Sequence, residues 1–375
     1  MMPANRLNHL EPSPIRMLSE GAPPDSIALG LGEPTWGMPA AGREVLASFA
    51  GNCPYGPNAG SDELRQAIAD FYSVSFDQTL VTCGSEGALF SLITAWVNEG
   101  DEVLVPDPGF PSYTCLSHMC SAIPVTYALD TSNRFRFSLD NALEALERSP
   151  RARAMIINHP SNPTGGGIDG SSLQRLAQEC ASRDVLLISD EVYRDLYFGE
   201  RPPSLVDVSD EGVVISSVSK GWGCPGLRVG WVVGNSRWLT PARVVHGYAV
   251  TGAGFVDQKA ATAMMRDSNR ILADARQQIS TRWAAVERSY PGAEAPDGSF
   301  YFWIPLPESA WEDPLAYCVR LRDEARVVLV PGVIFGEKGR RHARLSFAAS
   351  PDELTEGIRR ILAFFALELS ATGPR

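Results

Sequence analysis

Lysine is nearly missing from this chain of 375 residues: only Lys220, Lys259 and Lys338 stand among 33 basic side chains. Chemistry that requires a primary amine therefore has three places to occur. No apolar run approaches the roughly 20 residues that span a bilayer, so no membrane is expected as a partner. The start, MMPANRLNHLEPSP, lacks the basic-then-apolar pattern of a secretory signal. Seven cysteines are scattered without a CxxC pair and read as reduced thiols of a cytoplasmic protein. The five histidines include no HxxxH or HxH pair, so no metal site is expected. A net charge of −11 argues against nucleic acid as a partner. With 44% hydrophobic and 21% charged residues, a disordered or fibrous chain is excluded.

No internal repeat or low-complexity tract breaks the chain. Its middle alternates short apolar runs with helical patterns. Ala154–Asn158, Val185–Ser189, Val213–Ser216 and Val229–Val233 read as buried strands rich in Val and Ile, and Leu80–Thr82 and Val103–Val105 as two more. Between the first two runs, Ser171 or Ser172 can cap a helix whose apolar positions are Leu173, Leu176, Ala177 and Cys180. Strand–helix–strand at this spacing is a βαβ unit. The expected class is α/β, a mostly parallel sheet sandwiched by helices. From about Asp267 the pattern changes to a long helix, strand-like GSFYFWIPL and RHARLSFA, and a C-terminal helix, the α+β content of a smaller domain. The expected division is a large domain over 46–266 and a small one over 267–375, with the N-terminal segment 1–45 joining the small domain.

In an open parallel sheet, ligands bind beyond the carboxyl ends of the strands. After AMIIN comes HPSNPTGGG with Asn162; after VLLIS come Asp190, Glu191 and Tyr193; after VVIS come Ser217, Ser219 and Lys220. Arg228 stands just before the next strand. LVT is followed by Gly84, Ser85, Glu86 and Gly87, leading into a helix whose first free N–H groups suit a phosphate. Of the three lysines, Lys220 alone lies at a strand end. A lysine, a carboxylate, a phenol and one phosphate cup are what pyridoxal 5′-phosphate (PLP) needs. A Walker-type nucleotide site fails, because no GxxxxGK[ST] is present.

These residues resemble the class I/II aminotransferases, which are fold-type I PLP enzymes. The matching segments run from Gly30 to about Phe347: GLGEP, YGPNAGSDELRQAIA, VTCGSEGAL, GDEVLVPDPGFPSY, NHPSNPTGG, ISDEVY, SVSKGWGCPGLRVGW, DGSFYFW, VPGVIFG and RLSFA. The specific phrase is SxSK(x)7R, from Ser217 through Lys220 to Arg228, following DExY. The resemblance implies that Lys220 is the Schiff-base lysine and general base. It implies that Asp190 pairs with the pyridinium nitrogen, that Tyr193 and Asn162 bind the ring hydroxyl, and that Phe110 stacks on the ring. Ser217, Arg228 and the N–H groups of Gly84, Ser85 and Glu86 would cup the phosphate. Tyr55 would reach the phosphate of a neighbouring subunit, making a homodimer with composite sites. Arg344 would bind the substrate α-carboxylate, with Gly32 close by, and Trp36 would shape the side-chain pocket.

The expected reaction moves an amino group between an amino acid and a 2-oxo acid. The alternative is a PLP-dependent lyase, or a specialised synthase or cyclase of secondary metabolism, on the same fold. Neither terminus leaves room for a DNA-binding module, so a regulator is not expected. The stretch Gly247–Gln258 and the segment TWGMP contain no Arg or Lys, which points to a substrate with a neutral side chain.

Overall fold

A computed structural model describes residues 4–8 and 10–371, the last four of these in backbone only. Parts of the expected terminal segments, residues 1–3, 9 and 372–375, lie outside them. The strands of the described residues are β1 (Ile27–Ala28), β2 (Thr79–Cys83), β3 (Glu102–Asp107), β4 (Ile123–Ala128), β5 (Ala152–Asn158) and β6 (Leu186–Asp190). They continue as β7 (Val213–Ser217), β8 (Val229–Gly234), β9 (Tyr301–Pro305), β10 (Val327–Val328), β11 (Val330–Pro331) and β12 (His342–Ser346). Seven of them form one sheet in the order β2-β8-β7-β6-β5-β3-β4.

The apolar runs expected as strands are strands because both sheet faces are covered. Leu104, Met155, Ile157, Leu187 and Val214 point into one core, and Val103, Val105, Ile156, Ile188 and Ile215 into the other. Each such buried aliphatic side chain contributes roughly 1.5–3 kcal/mol relative to exposure. The helix Gly170–Ser182 buries Leu173, Leu176, Ala177 and Cys180 as its spacing requires. Its cap is Asp169, whose carboxylate accepts the Ser172 N–H, rather than Ser171 or Ser172. The two serines instead donate their hydroxyls to that carboxylate, because an ionised acceptor takes more hydrogen bonds than a hydroxyl.

Two departures concern the sheet. β8 runs antiparallel between β2 and β7, so Val229–Val233 is no part of a parallel array. The connection of residues 218–228 is too short for a crossover helix, so β7 and β8 pair antiparallel. β4 adds an edge strand whose mixed pattern IPVTYA carries no strong strand signal. From β3 the chain steps outward to β4, and from β5 it steps the other way through β6 to β7. The switch point therefore lies between the ends of β3 and β5, where a ligand crevice is expected.

β9, β11 and β12 make a separate three-stranded antiparallel sheet, packed on the helices Ser268–Ser289, Pro314–Ala325 and the C-terminal helix from Pro351. β1 pairs in parallel with β10, which stitches the N-terminal segment to this part of the chain. No helix of the described residues is long and apolar enough to cross a membrane.

The two sheets are joined at Asp297. Its carboxylate takes two hydrogen bonds from Arg136, each 2.6 Å, and one of 2.8 Å from the Gly167 N–H. The next residues add Gly298 N–H to Gly165 C=O and Ser299 N–H to Leu196 C=O. Arg136 remains 42% exposed and Asp297 19%, so solvent screening limits the ion pair itself. Asp297→Ala should lower unfolding stability by about 1–2 kcal/mol, most of it from the unpaired Gly167 N–H. Denaturant titration of the single and double variants with Arg136→Ala measures this. A coupling near zero would show that the ion pair contributes nothing.

Candidate active site

The carboxyl ends of β3, β5, β6 and β7 deliver their polar residues to one place. Lys220 donates from Nζ to the Gly32 carbonyl at 2.6 Å and lies 5.8 Å from the centre of the Tyr193 ring. Burial holds its amine below the ordinary lysine range, against the opposing influence of Tyr301 and with that of Arg344. The Tyr193 hydroxyl lies 2.7 Å from that of Tyr301. Arg344, 2% exposed, donates from Nη1 to Asn162 Oδ1 and from Nη2 to the Gly30 carbonyl, both at 2.7 Å. Its guanidinium lies between the rings of Tyr301 and Phe335, at 4.4 and 4.8 Å. Among the described residues, the buried Arg344 Nε has no partner, and the two bonded nitrogens meet only neutral oxygens.

Asp190 closes β6 and is 4% exposed. Tyr113 donates to its Oδ2 at 2.7 Å, and the Val192 N–H reaches Oδ1 at 3.3 Å. Phe110 packs edge-on against Tyr113, with ring centres 5.7 Å apart. Asn158 ties two of these pieces together. Its Oδ1 accepts the Asn162 N–H at 2.6 Å, and its Nδ2 donates to the Asp190 carbonyl at 2.9 Å.

A concave turn lies beside them. Gly84 opens the helix Gly84–Trp96 with φ +70°, and a Cβ there would strike the Arg228 guanidinium. Gly230 pairs with Ser217 across the sheet, and a Cβ on it would overlap the backbone of Gly84 and Ser85. Ser85 and Glu86 follow in the first turn, where backbone N–H groups are free for an anion. Arg228 itself is held at φ +54° at the lip of this turn. Glu86 accepts from Ser112 at 2.8 Å, which joins the turn to the segment after β3.

Two expected site residues lie further out. Trp36 contacts Phe300 edge-on at 5.9 Å, and Lys220 Nζ lies 5.9 Å from the centre of that same Phe300 ring; a Cβ on Gly223 would sit 2.9 Å from Trp36 Nε1. Tyr55 is 92% exposed. Cys224 is a buried thiol raised to about 11 by desolvation, a small apolar filler beside Met264.

Comparison with known proteins decides the family. The model of aminotransferase class I and II matches residues 24–361. A probable aspartate/prephenate aminotransferase of Aquifex aeolicus is 31% identical, over 96% of this chain and 97% of that one. An arginine–pyruvate transaminase of Pseudomonas aeruginosa is 30% identical, over 92% and 90%. A solved aminotransferase of Mycobacterium tuberculosis superposes with a TM-score of 0.89 at 26% identity, covering 98% and 100%. The chain belongs to the class I and II aminotransferases.

Enzymes of this family use PLP to exchange amino groups between amino acids and 2-oxo acids. Within this aminotransferase, Tyr113 and Tyr301 are polar neighbours of the candidate residues that strand-end reading misses. Both lie inside the quoted segments GDEVLVPDPGFPSY and DGSFYFW. A tyrosine in an apolar stretch gives no sign from sequence alone that its hydroxyl faces Asp190 or Tyr193.

Asp190 carries the largest electrostatic consequence. Burial raises its carboxyl to about 7, against the opposing bonds from Tyr113 and Val192, while Glu86 and Glu191 push the same way as burial. Its folded-state value is above its unfolded one, so the folded protein binds the extra proton between about pH 4 and 7. Stability of the cofactor-free protein should therefore fall as pH rises through that window. Asp190→Asn removes the ionisation. Cofactor-free Asp190→Asn should melt above the cofactor-free parent at pH 8 and lose that advantage at pH 5. Thermal unfolding at the two pH values tests this, and an advantage equal at both would refute it.

Proposed function

We propose that this aminotransferase holds PLP on Lys220 and transfers amino groups to and from amino acids with neutral side chains. The observation that carries the reading is the buried Arg344, a cation bonded only to neutral oxygens with its Nε unpartnered. A buried charge without an opposite charge is costly, and an α-carboxylate would satisfy it with two charge-assisted bonds.

The other residues fit PLP. The glycine cradle at Gly84 and Gly230, with Ser85, Glu86, Ser217 and Arg228 around it, suits a phosphate. Asp190 would hold the proton on the ring nitrogen, with Tyr113 orienting its carboxylate. Tyr193 and Asn162 would bond the ring hydroxyl, and Phe110 would cover a ring face. When bound, PLP supplies an electron sink that loosens the bonds to the substrate Cα. Lys220 Nζ, held low by burial, is suited to take the proton from Cα once freed from the cofactor. Arg344 would keep the α-carboxylate fixed, which disfavours loss of carbon dioxide and favours proton transfer.

The substrate's side chain would meet Trp36 and Phe300, and the segment TWGMP and the stretch Gly247–Gln258 contain no Arg or Lys. Arg282, 5.5 Å from Trp36, is bonded to the Ala348 carbonyl and to Gln278, and a preference for glutamate would make it the partner of a second carboxylate. We also propose a homodimer in which Tyr55 serves the opposite site. Tyr55 and Tyr248 are more than nine-tenths exposed, with Val244 and Val250 half-exposed on the same helix as Tyr248, Ser236–Val250. The same reading assigns 46–266 to the cofactor domain, and 267–375 with the segment 1–45 to the smaller one.

An amino acid added alone should yield one 2-oxo acid per site and leave the cofactor in its amine form, which a 2-oxo acid then reverses. Ammonia released with turnover and no acceptor would establish the lyase instead. Arg344→Ala should lower kcat/KM by about 30- to 5,000-fold while PLP content stays unchanged. Half-reaction rates for phenylalanine, methionine, alanine and glutamate test the side chain, and a clear preference for glutamate overturns that part. Verified heterodimers of Tyr55→Ala and Lys220→Ala chains should regain activity that neither variant has alone.

A further inference from the structure

We propose that Tyr301 is a positioning residue that acts through Tyr193, donating its hydroxyl proton so that Tyr193 must donate its own to the cofactor ring. The inference rests on the PLP reading above and extends it to a residue outside the strand-end set.

Tyr301 is 1% exposed, the first residue of β9, and placed by the Asp297 junction four residues earlier. Its hydroxyl meets that of Tyr193 at 2.7 Å, with either oxygen able to donate. The surroundings break the symmetry once a ring oxygen is bound. Tyr193 has one proton. If that proton goes to the ring oxygen, the Tyr193 oxygen is left as an acceptor, and Tyr301 is the donor in contact with it. Arg344, 4.4 Å above the Tyr301 ring, draws on its electrons and makes the phenol a better donor. A side chain at residue 32 would overlap the Tyr301 hydroxyl, so Gly32 is what admits this phenol beside the lysine.

A donor behind Tyr193 strengthens the bond that Tyr193 gives, because chained hydrogen bonds polarise one another. The bound ring oxygen then keeps less negative charge, and the Lys220 nitrogen beside it releases its proton at lower pH. Tyr301→Phe removes the hydroxyl alone and keeps the ring beneath Arg344.

The test is an absorbance titration of purified, PLP-loaded enzyme against pH, without substrate. Tyr301→Phe should raise the midpoint by about half to one pH unit, the size expected for one hydrogen bond. In a Tyr193→Phe background the same change should add less than about 0.2 unit, since its path is gone. A parent enzyme that takes up no PLP would overturn the functional reading itself. With PLP bound, an unmoved midpoint in Tyr301→Phe, or an equal shift in both backgrounds, overturns only the role given to Tyr301. A lowered melting temperature with an unmoved midpoint likewise shows a purely structural tyrosine.

Discussion

Two cations, the Lys220 amine and the Arg344 guanidinium, are kept inside this protein without an ion pair to any described carboxylate, and much of the surrounding structure serves to make that tolerable. Arg344 is bonded to Asn162 and Gly30, and flanked by two aromatic faces. Lys220 is bonded to Gly32. The N-terminal segment thus supplies a backbone carbonyl to each cation, which explains why a stretch with little secondary structure is tied down by β1 against β10. Carbonyl oxygens stabilise a cation without neutralising it. The site keeps its attraction for an anion, at a cost in folding stability that cores elsewhere offset.

The neighbouring acids Asp190 and Glu191 show how the same chain sets two carboxyls apart. Both are buried, and burial pushes both upward. Asp190 has one strong donor, Tyr113, and ends up near 7. Glu191 accepts from Ser189, Ser204 and the Leu205 N–H, and has Arg194 and His159 within 3.7 Å. Those partners outweigh its burial and hold it below the usual carboxylate range. Glu191 is therefore a fixed charge that fastens the end of β6 to the helix Leu205–Val208, whereas Asp190 is left with capacity for a partner. One carboxyl is held ionised by its protein partners and the other is not.

Much of this was legible in the sequence because strand ends are local. The runs AMIIN, VLLIS and VVIS are almost wholly apolar, so each can be read directly as a buried strand, with its stop at or within one residue of Asn158, Asp190 and Ser217. Lys220 stood out because lysines are so few. The antiparallel course of β8 was not legible, since an apolar run buried on both faces looks alike in either direction. Nor was the edge strand β4, whose pattern is half-solvated. Tyr113 and Tyr301 were hidden for a different reason. Their role depends on where a hydroxyl lands after helix and sheet have packed, across 77 and 108 residues of chain.

That difference explains how the candidate site is built. Residues that would touch the cofactor come from the ends of strands and the loops just past them, and their spacing is set by the sheet itself. Residues that orient them come from elsewhere: Tyr113 from a helix, Tyr301 from the second sheet, Gly30 and Gly32 from the N-terminal segment. Asn158 is the exception, sitting within β5 and bonding the backbones on either side of its strand end. Motion of the second sheet would therefore leave the Asn158 and Tyr113 supports intact. It would alter Tyr301 and Arg344 together, because both lie on the paired strands β9 and β12. Grip on a carboxylate and the hydrogen bonding of Tyr193 are thereby mechanically linked, through one sheet rather than through any single contact.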